Sequence, residues 1–543
     1  MRAIIADNQW VYFDHITTDE EDVLWREFSV SEPNVYIDPN QMGQWDGVYR
    51  KYNRAKKRIA RPLLSKLLEI CDKHKLVLNV VDKREPWAYK PMDPGDITPD
   101  FLPGITLDPH QVEATKRACK LECGIVDVPT GGGKGEIICC IAKAISCPTV
   151  IIADQTIVIS QLKQRLELRD VAEEVGMFYA GRRPNDELVV VGSIQSLSPP
   201  TTPPDVPKRK PKETDAAFAK RLEKWDTQLK AFNTRRKNAK FLQQYVKRAE
   251  MIMVDECDKA SSQQYKNLFR HQFRGRRRYG FSGTPMDAEK PVAAMVMQEH
   301  LGSPFIKVGR RYLERIGRII TCEYHMLSFG IDGDIKEASA YDIAYDSVIV
   351  KNNEFHKLVT SICTKFKGDS TLILVDRMEL GENLERAITA AGLTTHFICG
   401  KTVKRRRDEV LRAFERKEFD VLIGGKIINR GLDLSGGCDN LIIATGGKLE
   451  SDFIQKVGRA LRHNTKGYSR VFDFYFRCNR YLYHHSQARL RTMVNAGYRT
   501  TVYFPGGKID GAQFVQNRFR VTTNLRTKPD SRQRRLFSTS GGD

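Results

Sequence analysis

The sequence has little that could sit in a membrane. No run of about 18 apolar residues occurs in the 543-residue chain, so no segment reads as a transmembrane helix. The opening "MRAIIADNQW" lacks the long apolar core of a secretory signal, which predicts a cytoplasmic protein with no membrane partner. Cysteine pairs of the CxxC kind are missing too. The 12 cysteines are scattered, with Cys119 and Cys123 one helical turn apart and Cys139 and Cys140 adjacent. Neither spacing makes a zinc ribbon, and reduced, mostly buried thiols are expected. Acidic residues are in deficit: 67 Asp and Glu face 88 Lys and Arg, a formal net charge of +21. That excess points to a polyanionic partner, nucleic acid first, although an ordinary basic soluble protein would show it as well. Beyond one acid pair described below there is no second carboxylate cluster, which argues against two-metal nuclease chemistry.

What is present suffices for packed cores: 41% of residues are hydrophobic and 9% aromatic, in a length that implies roughly two to four domains. Residues 1–100 read as a small α+β unit, with "NVYID" and "LVLNVVD" as strands and "RPLLSKLLEICDKHK" as a helix. "KPMDPGDITPDFLPG" then reads as a linker. From Leu107 short β-rich runs ("GIVDVP", "TVIIAD", "ELVVVGSI", "MIMVDE", "RRYGFSGTP") alternate with helical ones, the signature of a parallel sheet covered on both faces. A second alternating set begins near 355 with "TLILVD", "THFICG", "FDVLIGG" and "NLIIATG". The fold class is therefore α/β, with domains expected at 1–100, 101–320, 321–505 and a basic extension at 506–543. Within the first large lobe, residues 198–245 are Pro-rich and then highly charged, and read as an exposed arm or helical hairpin outside the core.

Three motifs carry chemistry. In "VDVPTGGGKGEII" a strand runs through Pro129, Thr130, Gly131, Gly132 and Gly133 into a helix beginning at Lys134. Backbone N–H groups there can wrap a phosphate chain, and the lysine can meet its β- and γ-phosphates. A plain tight turn is the alternative. In "MIMVDECD" a buried strand delivers Asp255 and Glu256 to its end, where Asp255 can hold magnesium, partly through water, and Glu256 can polarise an attacking water. Alone, such a pair is as readily a helix cap. In "QKVGRALR", Gln455, Arg459 and Arg462 lie on one predicted helix. The two arginines are three apart and share a face, able to neutralise charge on a γ-phosphate. A solvated basic face is the competing reading.

In this order the three motifs resemble those of the superfamily 2 helicases and translocases, over residues of about 105–500. The resemblance implies two tandem RecA-like parallel-sheet lobes, with ATP and Mg2+ as cofactors. It implies that Gln111 of "LDPHQ" reads the adenine edge and that Gln195 and Ser196 of "GSIQSL" contact the DNA strand. It also implies that Ser282, Gly283 and Thr284 of "FSGTP" couple hydrolysis to movement, and that Gly431 and Asp433 of "NRGLDL" serve the nucleotide. Among relatives the chain is most similar to the phage UvsW-type recombination helicases of the XPB-like group. This implies branch migration, recombination and repair on single-stranded, forked or branched DNA, in a host cytoplasm, by a chain sufficient as a monomer. One position departs from the pattern. Gly135 stands where the family keeps a Thr or Ser hydroxyl on the metal, and a metal-bound water can take that place. An active ATPase with modified metal coordination is expected. The N-terminal "QWDGVYRKYNRAKKRIARP" interleaves aromatics with cations, so Trp45, Arg50 and Lys51 are candidate DNA contacts. An RNA helicase and a catalytically silent DNA-binding scaffold are the alternatives.

Overall fold

The computed structural model describes residues 1–31, 47–179, 181–211, 213–283, 290–330, 340–425, 437–447, 464 and 466–516. The chain divides into two compact units, residues 1–129 with 133–308, and residues 309 onward with the segment 130–132. Among the described residues no helix is long and apolar enough to cross a membrane.

The first unit opens with a small sheet of β1 (Arg2–Ile5), β2 (Trp10–Asp14), β3 (Arg58–Ala60) and β4 (Asn79–Asp82), in the order β3-β2-β1-β4. Alternation turns Ala3, Ile5, Val11 and Phe13 inward. Against them lie Leu24 of α1 (Thr18–Glu27) and Leu67 and Ile70 of α2 (Leu64–His74). A capping box of Thr17 and Glu20 starts α1, and Lys75 in the left-handed region ends α2. The strand expected at "NVYID" lies outside the described residues. The linker of 90–104 is irregular, as expected, but it is not loose. Ile97 and Leu102 are buried and the Met92 N–H donates to Ala144 O at 2.8 Å.

What fixes the small sheet to the rest of its unit is a charge hub. The Glu122 carboxylate receives Arg61 at 2.6 Å, Arg276 at 2.5 Å and Arg84 at 3.0 Å. Burial would raise the Glu122 pKa, but the three guanidiniums outweigh it and hold the group below the usual glutamate range. Beside the hub, Trp87 Nε1 donates to Glu250 at 3.0 Å and carries the Arg277 guanidinium 4.7 Å from its ring.

The large sheet of this unit is formed by β5 (Cys123–Asp127), β6 (Thr149–Ile152), β7 (Val175–Phe178), β8 (Val189–Gly192), β9 (Met251–Asp255), β10 (Arg277–Ser282) and β11 (Pro304–Lys307). Their order is β11-β5-β10-β9-β6-β8-β7, and every pairing is parallel. Strands buried on both faces need continuous apolar runs, which "TVII", "VVVG" and "MIMV" supply. Helices α3 (Pro109–Lys120), α4 (Lys134–Ile145) and α5 (Thr156–Leu168) precede β5, β6 and β7 respectively.

The 198–245 region differs from the exposed arm or hairpin read from its charge. It contains one long helix, α6 (Asp215–Arg248), whose C-terminal half carries a buried stripe. Ala239, Leu242 and Val246 recur at helical spacing, and the last two join Ile252, Leu268 and Phe273 in the core of the lobe. Charged residues outnumber large apolar ones along the helix as a whole, and that composition hid a narrow apolar stripe.

The second unit is a sheet of β12 (Thr321–Phe329), β13 (Thr371–Leu374), β14 (Thr395–Ile398), β15 (Val421–Gly424), β16 (Asn440–Ile443), β17 (Tyr468–Phe476), β18 (Arg499–Phe504) and β19 (Gly507–Asp510). The order is β14-β15-β13-β16-β17-β12-β18-β19, parallel except for the final β18–β19 hairpin. Leu372 and Leu374 face one core while Ile373 faces the other, so successive residues of β13 serve opposite layers. A fully buried ion pair anchors one layer: Arg489 of α7 (Arg480–Asn495) reaches Asp473 of β17 through Nε at 2.8 Å and Nη2 at 3.0 Å. Tyr324 donates to the same carboxylate. Each unit thus carries a RecA-like parallel sheet, the first with a small N-terminal sheet beside it.

Candidate active site

Parallel pairing sends every strand of the first sheet toward the same edge, so residues far apart in sequence emerge together. The register levels Asp127 with Ser282 and Asp255 with Phe281. The β5 strand leaves this edge through Pro129 and Thr130, both half-buried, and turns at Gly131 and Gly133, with φ of 88° and 79°. Such angles are open to glycine and costly for other residues. Helix α4 starts at Lys134 with no side-chain cap, so its first turn presents backbone N–H groups at the positive end of the helix dipole. Lys134 Nζ lies 3.4 Å from Val128 O and 3.9 Å from Glu256 Oε1. The structure therefore brings the lysine and the acid pair together.

Glu256 itself adopts a left-handed conformation, φ 52°, directly after β9, which turns its side chain off the line of the strand. Asp255 Oδ1 accepts the Glu256 N–H at 3.1 Å. Two further carboxylates belong to the same edge and were not singled out from the sequence. Burial, partly offset by Lys307 and Lys134, pushes Asp127 up to about 6. Burial, reinforced by Glu256, pushes Asp258 up to about 6. Ser282 Oγ donates to Asp258 at 3.3 Å, which ties "FSG" to "DECD". Asp154, just beyond β6, pairs with Lys259 at 2.7 Å. Their signal was available, since both acids follow buried apolar strands. Gly283 is half-buried after Ser282, and Thr284 lies outside the described residues.

Gln111 is almost fully buried and works as part of a capping box: its Oε1 accepts the Asp108 N–H at 2.9 Å. Its amide nitrogen lies over the loop, so close that a Cβ on Gly133 would overlap it. The side chain thus braces the glycine loop from behind. Gly135 has a neighbour that the sequence did not reveal: a Cβ there would overlap Nη1 of Arg165 and lie 3.0 Å from its Cζ.

The candidate strand contacts sort unevenly. Gln195 is exposed and Ser196 shares a hydrogen bond of 2.9 Å with Ser193, both just past the end of β8. Arg50 stacks 4.8 Å from the Trp25 ring, which also carries Arg54 at 4.4 Å, and Arg58 lies 3.7 Å over Trp10. Lys51 is engaged elsewhere: its ammonium sits 2.7 Å from Glu299 in a largely buried pair that helps seat the small sheet. Trp45, Gly431, Asp433, Gln455, Arg459 and Arg462 lie outside the described residues.

The loop and Lys134 suit a nucleotide's phosphates. Among the described residues no three His, Cys, Asp or Glu side chains gather into a metal cage. Magnesium held by one carboxylate, water and the phosphates needs no such cage, and Asp255 fits that role.

Two family models match the chain, "Type III restriction enzyme, res subunit" over residues 104–287 and "Helicase conserved C-terminal domain" over 351–464. "Putative ATP-dependent helicase IRC3" of Saccharomyces cerevisiae is 25% identical over 240 residues, which is 41% of this chain and 34% of that protein. "ATP-dependent RNA helicase p62" of Drosophila melanogaster is 33% identical over 101 residues, 19% of this chain and 14% of that protein. The matches span about a third or less of the length of these curated relatives. Among solved structures, bacteriophage T4 UvsW has a TM-score of 0.41 at 15% identity, covering 92% of this chain and 98% of that one. The Hef helicase domain of Pyrococcus furiosus has a TM-score of 0.43 at 12% identity, covering 70% and 97%.

Proposed function

The chain belongs to the superfamily 2 helicases, and on that premise we propose that it is an ATP-driven DNA motor that remodels forked or branched molecules in recombination and repair. The observation that carries this reading is the meeting, at one sheet edge, of the glycine loop, Lys134 and the Asp255–Glu256 pair. When bound, ATP with magnesium supplies the phosphoanhydride bond whose hydrolysis drives movement. Lys134 offers its ammonium to the phosphate end, and the first turn of α4 offers N–H donors. Asp255 offers a carboxylate to the metal. Glu256, turned off the strand by its backbone, accepts hydrogen bonds from the water that attacks. The Ser282–Asp258 bond is the link by which a change at the acid-bearing turn reaches the "FSG" segment. Gln455, Arg459 and Arg462 are assigned to hydrolysis, and Gly431 and Asp433 to nucleotide binding, on the strength of their motifs alone. The domain limits 1–100, 101–320, 321–505 and 506–543 are part of the same proposal.

A nucleic-acid track is favoured by the net charge of +21 and by the arginine-on-tryptophan stacks of the small N-terminal sheet, and the resemblance of the motifs to those of the recombination helicases makes DNA the first reading. RNA is the second reading, because one relative is named an RNA helicase. The test is steady-state ATP hydrolysis with single-stranded, duplex, forked and four-way DNA and with RNA. Forks or junctions should stimulate most, and Lys134→Ala should abolish the rate with every ligand. Strongest stimulation by RNA would overturn the DNA assignment.

A further inference from the structure

The loss of the hydroxyl after Lys134 is matched by a gain from a neighbouring helix. Arg165 lies in the last turn of α5, and its guanidinium occupies the space that a β-carbon at position 135 would need. A serine or threonine oxygen lies one bond beyond that β-carbon. The guanidinium therefore stands in the immediate neighbourhood of the absent hydroxyl, and a side chain at position 135 would have to push it aside.

The arginine is also held there. Its Nε faces Glu136 Oε1 at 3.4 Å, and the other oxygen of Glu136 faces Arg169 Nε at 3.3 Å. Arg169 is itself pinned, donating from Nη1 to Pro103 O at 2.9 Å. This brace leaves Nη1 of Arg165 as the atom directed at Gly135. Two features make the site more than an ion pair between helices. Glu136 alone would be satisfied by either arginine, and Gly135 is the residue that gives Arg165 its room.

We propose that Arg165 replaces the missing metal ligand, contributing a permanent cation to the phosphates of the bound nucleotide, so that binding depends only weakly on magnesium. A guanidinium never deprotonates in a protein, offers five donors in a fixed fork and pairs with phosphate bidentately. It also repels a divalent ion placed beside it, which further lowers the share of the affinity that magnesium supplies. The inference rests on the reading of the glycine loop as an ATP site.

The test is binding of a fluorescent N-methylanthraniloyl ATP to the full chain, with excess magnesium and with EDTA. The natural protein should bind in both, with affinities within about fivefold. Arg165→Ala should weaken binding in EDTA by about tenfold or more, the value of one or two charge-assisted hydrogen bonds, and weaken it less in magnesium. Gly135→Thr, whose side chain displaces the Arg165 guanidinium and restores a hydroxyl, should bind in magnesium and only weakly in EDTA. The double variant Gly135→Thr, Arg165→Ala should likewise bind in magnesium only. Arg165→Gln, which keeps bulk and hydrogen bonding without charge, guards against a folding artefact and should behave as Arg165→Ala. If Arg165→Ala changes both affinities equally or changes neither, or if the double variant gains no dependence on magnesium, the assignment fails. If the natural protein binds nucleotide in neither condition, the ATP-site reading itself falls, an outcome separate from a failure confined to Arg165.

Discussion

Glu122→Gln should release the N-terminal sheet from the first lobe while leaving both folded. Glu122 gathers three guanidiniums within 3.0 Å, and all four side chains are largely buried. Asp82 remains to pair Arg84 at 2.6 Å and Arg276 at 3.6 Å, so only Arg61 loses its carboxylate outright among the described residues. Removing one partner of a buried pair costs about 3–5 kcal/mol, and the help from Asp82 places this change near about 3 kcal/mol. Two units in one chain make a single melting temperature a poor measure, so the assay should be local. Hydrogen exchange serves, because the Met92 N–H is bonded to Ala144 O of the lobe, whereas the Lys83 N–H is bonded to Ile5 O within the small sheet and serves as the control. A loss of about 3 kcal/mol speeds opening roughly 100-fold, and the Met92 amide should exchange faster by that order while the Lys83 amide stays protected. The pH dependence has a definite sign. The Glu122 pKa is depressed in the folded chain, so its contribution is complete above the ordinary glutamate value and is lost as pH falls through the folded one. Acid should therefore loosen the natural protein in the same place and spare the variant. Basal ATP hydrolysis should persist while stimulation by forks drops. Unchanged protection at Met92, or an equal fall in basal and stimulated rates, would refute the reasoning.

Three further expectations follow from single positions. Lys134→Ala and Glu256→Gln should each lower ATP turnover by at least about 100-fold, Lys134→Ala with weakened nucleotide binding and Glu256→Gln with binding retained; binding and turnover measured side by side check the split. Leu242→Ala should destabilise the first lobe by about 2–4 kcal/mol in denaturant melts, whereas Lys220→Ala and Lys224→Ala, on the forward half of α6, should leave its stability unchanged. His300 is buried against Phe269, and burial pulls its pKa down to about 4 from an ordinary 6.5. Its neutral form stabilises the fold above pH 6.5, and up to about 3 kcal/mol should be lost on acidification toward pH 4, a slope that His300→Leu should flatten.

The elements that were legible in the sequence share a property: their sequence pattern and their environment have the same period. "TVII", "MIMV" and "TLIL" are apolar at every position because their strands are covered on both faces, and each forms a buried strand. The α6 helix broke that rule. Its burial is confined to one stripe near the C-terminus, so composition over the whole stretch read as solvent-exposed. β12 escaped notice for a related reason. Its buried Cys322, Tyr324 and Met326 alternate with Glu323 and His325, so no continuous apolar run marks the strand. Lys51 looked like a nucleic-acid contact because a charge run is visible, whereas its partner Glu299 is distant in sequence.

The candidate site divides along the same line, between what lies within a motif and what a fold brings to it. Lys134, Asp255 and Glu256 could be named because chemistry fixes their spacing to a strand or a loop, and the fold had only to align two strand ends. Asp127 and Asp258 could not be ranked, since a carboxylate after a strand is common and only burial separates a perturbed one from a solvated one. Gly135 is the instructive case. In sequence a glycine is a missing side chain, and a missing side chain reads as a lost function. In the fold the same position is a volume, and α5 fills it with a cation braced by Glu136 and Arg169. Deletion of a group at one position and insertion of another from an adjacent helix are a single event in space, although the chain records them far apart. A substitution that restores the hydroxyl at 135 should therefore displace Arg165 and weaken nucleotide binding in the absence of magnesium, a loss that the motif alone would not lead one to expect.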